Sequence, residues 1–347
     1  GDDCAILRLN PNERLATSVD TVVEGIHFPK DMFPEDLAFR AVSVATSDLA
    51  AMGARPLGMT IALTLPDPDE FWLNSFSQGL AQTVSEYNLP LVGGDTTRGP
   101  LTITVQVLGA LPMNRALLRE GASAGDQVCV SGTLGDAAGA LAFLNDEWQP
   151  EPEAAEFLLQ RYNRPRARIE LGLELLESAT AAIDISDGLL ADAGHIAAAS
   201  GVSIKLEPDA LPVSPALASH GDRDTILKWV LSGGDDYELC FTLPAGIALP
   251  EGCSRIGQVT AGLDHHGQHL KRADQPIAGR CLVQTQEMSR GLAAQRAPER
   301  PEHLQHVPVA DLRPAEIDPQ VPERPLQPEI RHQGPDHRPG EQALLVA

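Results

Sequence analysis

Five short segments set one or two aspartates beside glycines or at the end of an apolar run: GDD at 1–3, SVD at 18–20, SDLAAMG at 47–53, GGDT at 93–96 and DISDG at 184–188. Aspartate is a hard oxygen ligand. Magnesium is usually held by one or two carboxylates together with substrate phosphates, so scattered aspartates converging on one crevice suit a polyphosphate substrate. Such crevices form at strand ends in α/β sheets. Taken singly, most Asp-Gly pairs are turns or caps, and Asp3 and Asp95 fit that plain reading. Asp48 does not, because it falls in the last turns of an expected helix, where a carboxylate opposes the macrodipole by about 0.3–1 kcal/mol. Asp184 and Asp187 bracket Ser186 ahead of Gly188, which leaves one to cap the next helix and the other available for chemistry.

Other candidates are weaker. The run Gly132, Gly135 and Gly139 between a strand and a helix has the composition to offer backbone N–H groups to phosphate, although strand-to-helix packing explains such spacing more often. His27 follows Gly25 at the end of the first strand. Arg98 and Arg119 lie on loops, where arginine is the better fork for phosphate but pairs as readily with a surface carboxylate. No GxxxxGK[ST] occurs, and the strand Lys, HRD and DFG set of protein kinases is missing. A phosphotransferase built from these residues belongs to neither common class.

The elements that must position them alternate between periods of about 2 and 3.6. RLATSVDTVVEGIHF (14–28) reads as a strand entering a turn. A helix follows over 35–52, with Pro34 ahead, Gly53 as its stop, and Leu37, Ala41, Val44, Ala45 and Leu49 as its apolar stripe. PLGMTIALTLP reads as a strand, DEFWLNSFSQGLAQTVSEYN as a helix, LPLVGGDTT as a short strand ending in Gly-Gly-Asp, and LTITVQVLGALP as an alternating strand. After a linker over 113–125, a second α/β unit opens at QVCVSGTLGDAAGALAFL. It continues through the strand TAAIDIS, helices near 188–200 and 222–231, and the strand YELCFTLP. Past 285 the composition changes: 10 of the 28 prolines fall between Pro298 and Pro339, where no aromatic residue occurs. Such a segment reads as disordered, whether a natural tail or misjoined sequence. The opening Gly1, ahead of an acidic motif, suggests that the natural N-terminus lies upstream.

At 347 residues the chain has room for two domains, and with 43% hydrophobic but only 4% aromatic residues its core must be aliphatic. A formal net charge of −22 argues against nucleic acid or an anionic membrane as partner. Five scattered cysteines without a Cys-x-x-Cys pair suggest neither a disulfide framework nor a zinc site, hence a reducing, cytoplasmic compartment. No run of apolar residues is long enough to span a membrane.

Taken in order, GDD, VDTVVEGIHF, SDLAAMGARP, GGDTTRGP, REGASAGD, DISDGLLAD and SGGDDYEL resemble the thiamine-monophosphate kinase family, within the superfamily of aminoimidazole ribonucleotide synthetase. The resemblance runs from Gly1 to about residue 260 and implies an α/β (α+β) fold. An N-terminal mixed-sheet domain over 1–113 would dimerise and bind ATP and magnesium, an α/β domain would cover 114–285, and a Pro-rich tail would cover 286–347. It implies phosphorylation of thiamine monophosphate by ATP with several Mg²⁺ ions, in a homodimer. Asp3, Ser18, Val19, Asp20, Asp48, Asp95, Asp184 and Asp187 match magnesium positions. Gly94, Asp95, Arg119 and Ser186 match ATP contacts, and His27 and Asp235 match contacts to thiamine monophosphate, with Asp235 standing where the family more often has Glu. Two alternatives stay open: another ATP-dependent enzyme of the superfamily with a different small acceptor, and an inactive Mg-ATP-binding fragment.

Overall fold

The structure, a computed structural model, describes residues 3–262 and 280–283. The tail expected over 286–347 lies outside the described residues. In chain order the elements are β1 (Glu13–Val23), α1 (Pro34–Met52), β2 (Arg55–Leu65), α2 (Glu70–Tyr87), β3 (Leu91–Arg98) and β4 (Thr102–Pro112). There follow β5 (Gln127–Ser131), α3 (Asp136–Leu144), α4 (Pro152–Asn163), α5 (Ile169–Leu175), β6 (Ala181–Asp184), α6 (Leu189–Ser200) and β7 (Val202–Leu206). The last are α7 (Pro215–Ala218), α8 (Arg223–Ser232), β8 (Leu239–Leu243), β9 (Cys253–Ala261) and β10 (Arg280–Val283).

The first four strands form a mixed sheet in the order β1-β4-β2-β3, with β2 and β3 parallel and the other pairs antiparallel. Side chains alternate across it as the pleat requires. One face, through Val22, Ile61, Leu63, Ile103 and Val105, is buried in a core with α1 and α2. The opposite face is open: Leu15 is 50% and Val19 60% exposed, beside hydroxyl and amide side chains such as Thr17, Thr21, Thr104 and Gln106 that bond to one another across the strands. The third strand does not stop at Gly-Gly-Asp as expected but runs on to Arg98, because parallel pairing with β2 continues to that residue.

The expected stripe on α1 is buried, with Val44 only partly so, but the helix has no solvated face of the usual kind. Arg40, Ser43, Thr46 and Ser47 are buried too. The reason is a second layer on its other side, where Ala50 and Ala51 enter one core with Cys129, Ala182, Leu239 and Phe241. The approach is close enough that a Cβ on Gly172 of α5 would sit 2.1 Å from the Ala50 carbonyl oxygen. The helix ends as its sequence dictates, with Pro34 in its first turn and Gly53 at φ 68° donating its N–H to the Ala50 carbonyl.

The second sheet runs β10-β7-β9-β5-β8-β6, with β10 and β7 parallel and the rest antiparallel. Its inner strands are buried on both faces, which explains their unbroken apolar runs. Val128, Val130, Ile183 and Cys240 face the core shared with α3, α4 and α6. Cys129, Ala182, Leu239 and Phe241 face α1 and α5. Helix α1 therefore lies between the two sheets, with its polar residues at the seam.

Candidate active site

Asp48 sits at that seam. Ser18 Oγ, on the inner face of β1, donates a 2.5 Å hydrogen bond to Asp48 Oδ2. Asp20, two residues along the same face, has its pKa raised to about 6, first by burial and then by the charge of Asp48. Asp184, at the end of β6 in the other sheet, is raised to about 7, first by burial and then by the charge of Asp48. None of the three carboxylates is ion-paired to a described lysine or arginine. Like charges that share a poorly solvated place and lack a partner call for a cation.

The donor set suits magnesium: all oxygen, hard, and deficient in positive charge. Among the described residues no group of three or more His, Cys, Asp or Glu is disposed to hold a metal by itself.

Two cavities flank the carboxylates. The larger, about 500 Å³, is lined by Ser18, Asp48, Asp184, Arg14 and Arg119 with apolar walls from Leu49, Met52 and Leu118. Of the arginines in 3–262, all are ion-paired to a described carboxylate except Arg8, Arg14 and Arg119, and two of those three line this cavity. Arg119 was expected here. Arg14 was not, and its only signal is a lone cation beside the SVD strand. Arg98, the other loop arginine, is structural: it bonds the Pro66 carbonyl and pairs with Asp67 at 2.8 Å.

The smaller cavity, about 260 Å³, is lined by Asp20, His27, Asp235, Arg40, Tyr162 and Tyr237 among others. His27 Nδ1 accepts the Val23 N–H at 3.1 Å, which fixes the ring in the turn after β1. Asp235 occupies left-handed backbone, φ 66°, and accepts the Tyr237 hydroxyl at 3.0 Å. Its own N–H donates to the Ser186 carbonyl at 3.0 Å, tying the DISDG and SGGDD loops together.

Neither Asp184 nor Asp187 caps α6, contrary to the expectation that one of them would. Gly188 stands at the cap position without a side-chain bond. Asp192, the fourth residue of α6, folds back so that Oδ2 accepts the N–H groups of Ser186, Asp187 and Gly188, each at 3.1 Å. The carboxylate that shapes this loop thus comes from inside the helix, where an aspartate reads as ordinary surface. Asp187 is left exposed. The glycine run serves packing: the Gly135 N–H is taken by both oxygens of buried Asp236.

Three expected site residues stand apart. Asp3 is exposed, with no hydrogen bond or ion pair to a described residue. Val19 turns its side chain to the open face of the sheet. Gly94 lies in the row Asp20, Val105, Ile61, Gly94, three strands from Asp20, or roughly 14 Å at the usual strand spacing. A Cβ there would lie 2.2 Å from the Ile61 carbonyl oxygen, so packing alone requires glycine. Asp95 is exposed on the same edge strand, its Oδ1 accepting the Thr96 N–H. Within one chain it does not join Asp48.

The fold and the acidic seam define a class: residues 1–111 match the family described as AIR synthase related protein, N-terminal domain. Among curated proteins, the thiamine-monophosphate kinase of Salmonella typhimurium is 46% identical over 289 residues, 80% of this chain and 88% of the relative. The crystal structure of thiamine-monophosphate kinase from Stenotrophomonas maltophilia superposes with a TM-score of 0.73 at 40% identity, covering 81% of this chain and 89% of that one. A structure described as AaThiL complexed with AMPPCP and TMP gives 0.70 at 33% identity, with 81% and 87% covered. The chain belongs to the thiamine-monophosphate kinase family and is a kinase.

Proposed function

We propose that this chain transfers the γ-phosphoryl group of ATP to the phosphate of thiamine monophosphate, giving thiamine diphosphate and ADP. The observation that carries this is the unpaired trio Asp20, Asp48 and Asp184 between a cavity with two unpaired arginines and one walled by His27 and Asp235. The acceptor is a phosphate oxygen already anionic near neutral pH, since its second pKa is about 6, so no strong general base is needed. The obstacle is repulsion between phosphates, about 4 kcal/mol for unit charges 4 Å apart at an effective dielectric of 20. Asp20, Asp48 and Asp184 would hold Mg²⁺, which when bound would supply the positive charge that offsets this repulsion. Arg14 and Arg119 hold the triphosphate in the larger cavity. Ser18 fixes the Asp48 carboxylate, and Asp192 holds the loop that carries Ser186 and Asp187. His27 and Asp235 orient the acceptor for in-line attack.

We further infer a homodimer, with the four-stranded sheet as the dimerising N-terminal domain and the six-stranded sheet as the second domain. In support, the open sheet face carries exposed Leu15 and Val19, and a two-fold axis along the strands would lay β3 of one copy beside β1 of the other. Gly94 and Asp95 would then complete the partner's site. Mixing Asp48→Asn with Asp95→Asn chains tests this. Shared sites return about a quarter of wild-type activity, because half of randomly paired dimers are mixed and each holds one intact site; sites made within one chain return none. A cytoplasmic location is the reading that the five scattered cysteines, without a Cys-x-x-Cys pair, support. Among the described residues no helix is long and apolar enough to cross a membrane.

The assay is direct. Chain, ATP, Mg²⁺ and thiamine monophosphate should yield thiamine diphosphate and ADP. ADP formed only with another acceptor would assign the chain to a different reaction of the superfamily, and Mg-ATP binding without turnover would make it a binding protein.

A further inference from the structure

Arg40 is the charged residue that the phosphoryl-transfer account leaves unused. It lies two helical turns before Asp48 on α1, with Val44 between them, so one stripe of the helix carries Asp48 to the larger cavity and Arg40 to the smaller. Only 2% of it is exposed. A guanidinium is taken out of water at a net gain only where its donors are matched. Here Nη2 pairs with Asp235 Oδ2 at 2.9 Å, and Nη1 donates to the Tyr162 carbonyl. The guanidinium carbon stacks 4.4 Å from the centre of the Tyr162 ring. Nε, although buried, has no hydrogen-bond partner among the described residues. The arrangement does not satisfy the arginine fully.

It satisfies Asp235 instead. That residue holds φ 66°, a conformation that costs a non-glycine residue about 1–3 kcal/mol and persists where the surroundings overdetermine it. One carboxylate oxygen is taken by Arg40 and the other by the Tyr237 hydroxyl. The side chain still keeps 31% of its surface open on the cavity. An unpaired buried N–H and a strained backbone together aim one carboxylate into one cavity.

We propose that Arg40 is a positioning residue of the acceptor site: acting through Asp235, it sets the affinity for an acceptor that presents a cationic or N–H-bearing heteroaromatic ring to that carboxylate. The inference rests on the acceptor reading of the smaller cavity given above. Because Arg40 shares the charge of Asp235, its contribution is orientation more than net attraction. Lysine keeps the charge but is a point donor, unable to engage Asp235 and the Tyr162 carbonyl with a planar fork.

Steady-state kinetics on the full chain test it, starting from wild-type turnover. Arg40→Lys should raise KM for thiamine monophosphate by about tenfold, while KM for ATP stays within about twofold and kcat within about threefold. In an Asp235→Asn background the same change should add less than about twofold, since a residue acting through Asp235 has nothing left to position. A merely structural tie between α1 and α4 would instead move both KM values, or kcat alone, and would act equally in both backgrounds; any of these overturns the proposal. If Arg40→Lys does not fold, Arg40→Met with Asp235→Asn, which removes both charges, takes its place, and its acceptor KM must equal that of Asp235→Asn alone. No thiamine diphosphate from the wild type would overturn the acceptor reading, and this inference with it. Wild-type turnover with an unmoved acceptor KM in Arg40→Lys would overturn this inference only.

Discussion

Two groups of buried and half-buried carboxylates are treated in opposite ways. Glu238, inside the second sheet, receives Nε and Nη2 of Arg168, Nη2 of Arg161 at 2.9 Å and the Ser131 hydroxyl at 2.5 Å. Nearby Asp136 accepts the Thr133 and Ser214 hydroxyls at 2.6 and 2.5 Å. Burial opposes ionisation of Glu238, but Arg168 and Arg161 outweigh it and hold its carboxyl below the ordinary range. At the α1 seam, burial and the charge of Asp48 act on Asp20 and Asp184 with no arginine to offset them, and both rise. The first group is complete as folded. The second has no lysine or arginine partner among the described residues, and the proposed reading of the seam as a reaction site rests on that contrast.

The sharpest way to break this contrast is Asp48→Asn. Turnover should fall about a thousandfold, the scale on which charge-stabilising groups act in a transition state. The metal-free protein should nevertheless gain about 1 kcal/mol and melt a few degrees higher, because a repulsive charge has gone. A thermal scan in chelator that finds the variant less stable would make the seam a structural network like the other. The mirror experiment is Arg168→Met, which takes two donors from Glu238 and leaves it Arg161 and Ser131. It should destabilise by about 2–3 kcal/mol and lower the melting point by several degrees. A loss below about 1 kcal/mol would remove the distinction from the other side.

A pH series probes the seam without mutation. Asp20 and Asp184 hold their protons more tightly folded than unfolded, so their favourable contribution is full at acid pH and is lost as pH rises through about 6 and about 7. Metal-free protein should therefore lose stability between about pH 4 and 7 relative to an Asp184→Asn variant, and the rise in melting temperature on adding Mg²⁺ should grow as pH approaches about 7. A Mg²⁺ effect that is flat with pH would argue that these carboxylates are not its ligands. The smallest effect belongs to Arg98→Ala. Its pair with Asp67 is exposed on both sides, so stability should change by about 0.5 kcal/mol or less and turnover not at all.

Much of the frame was legible in the chain: strand and helix periods placed β1, α1, β2, α2 and β4, and Pro34 and Gly53 bounded α1 where capping rules put them. Asp48 was legible because it violated a local rule. Helices α4 and α5 were missed, since the run 161–168 is rich in arginine and proline and resembles a loop. Its Arg161, Arg164 and Arg168 in fact reach buried or half-buried carboxylates from other elements. Arg40 and Asp192 were missed for a related reason: a charged residue within a helix reads as solvated surface, and only the tertiary fold shows what it meets. SGGDDYEL read as a single motif, yet Asp235 lines a cavity, Asp236 takes the Gly135 N–H, Tyr237 steadies Asp235 and Glu238 closes the arginine network. Motif order grouped Asp95 with Asp48, whereas the sheet sets them apart within one chain.

Phosphorus NMR tests the central claim most directly. The full chain is given ATP and thiamine monophosphate and then, in the same tube, Mg²⁺. The account predicts no reaction before the metal, then loss of the monophosphate resonance with matched growth of thiamine diphosphate and ADP, and no such change with Asp48→Asn. Thiamine diphosphate formed in chelator, or at wild-type rate by Asp48→Asn, would contradict it.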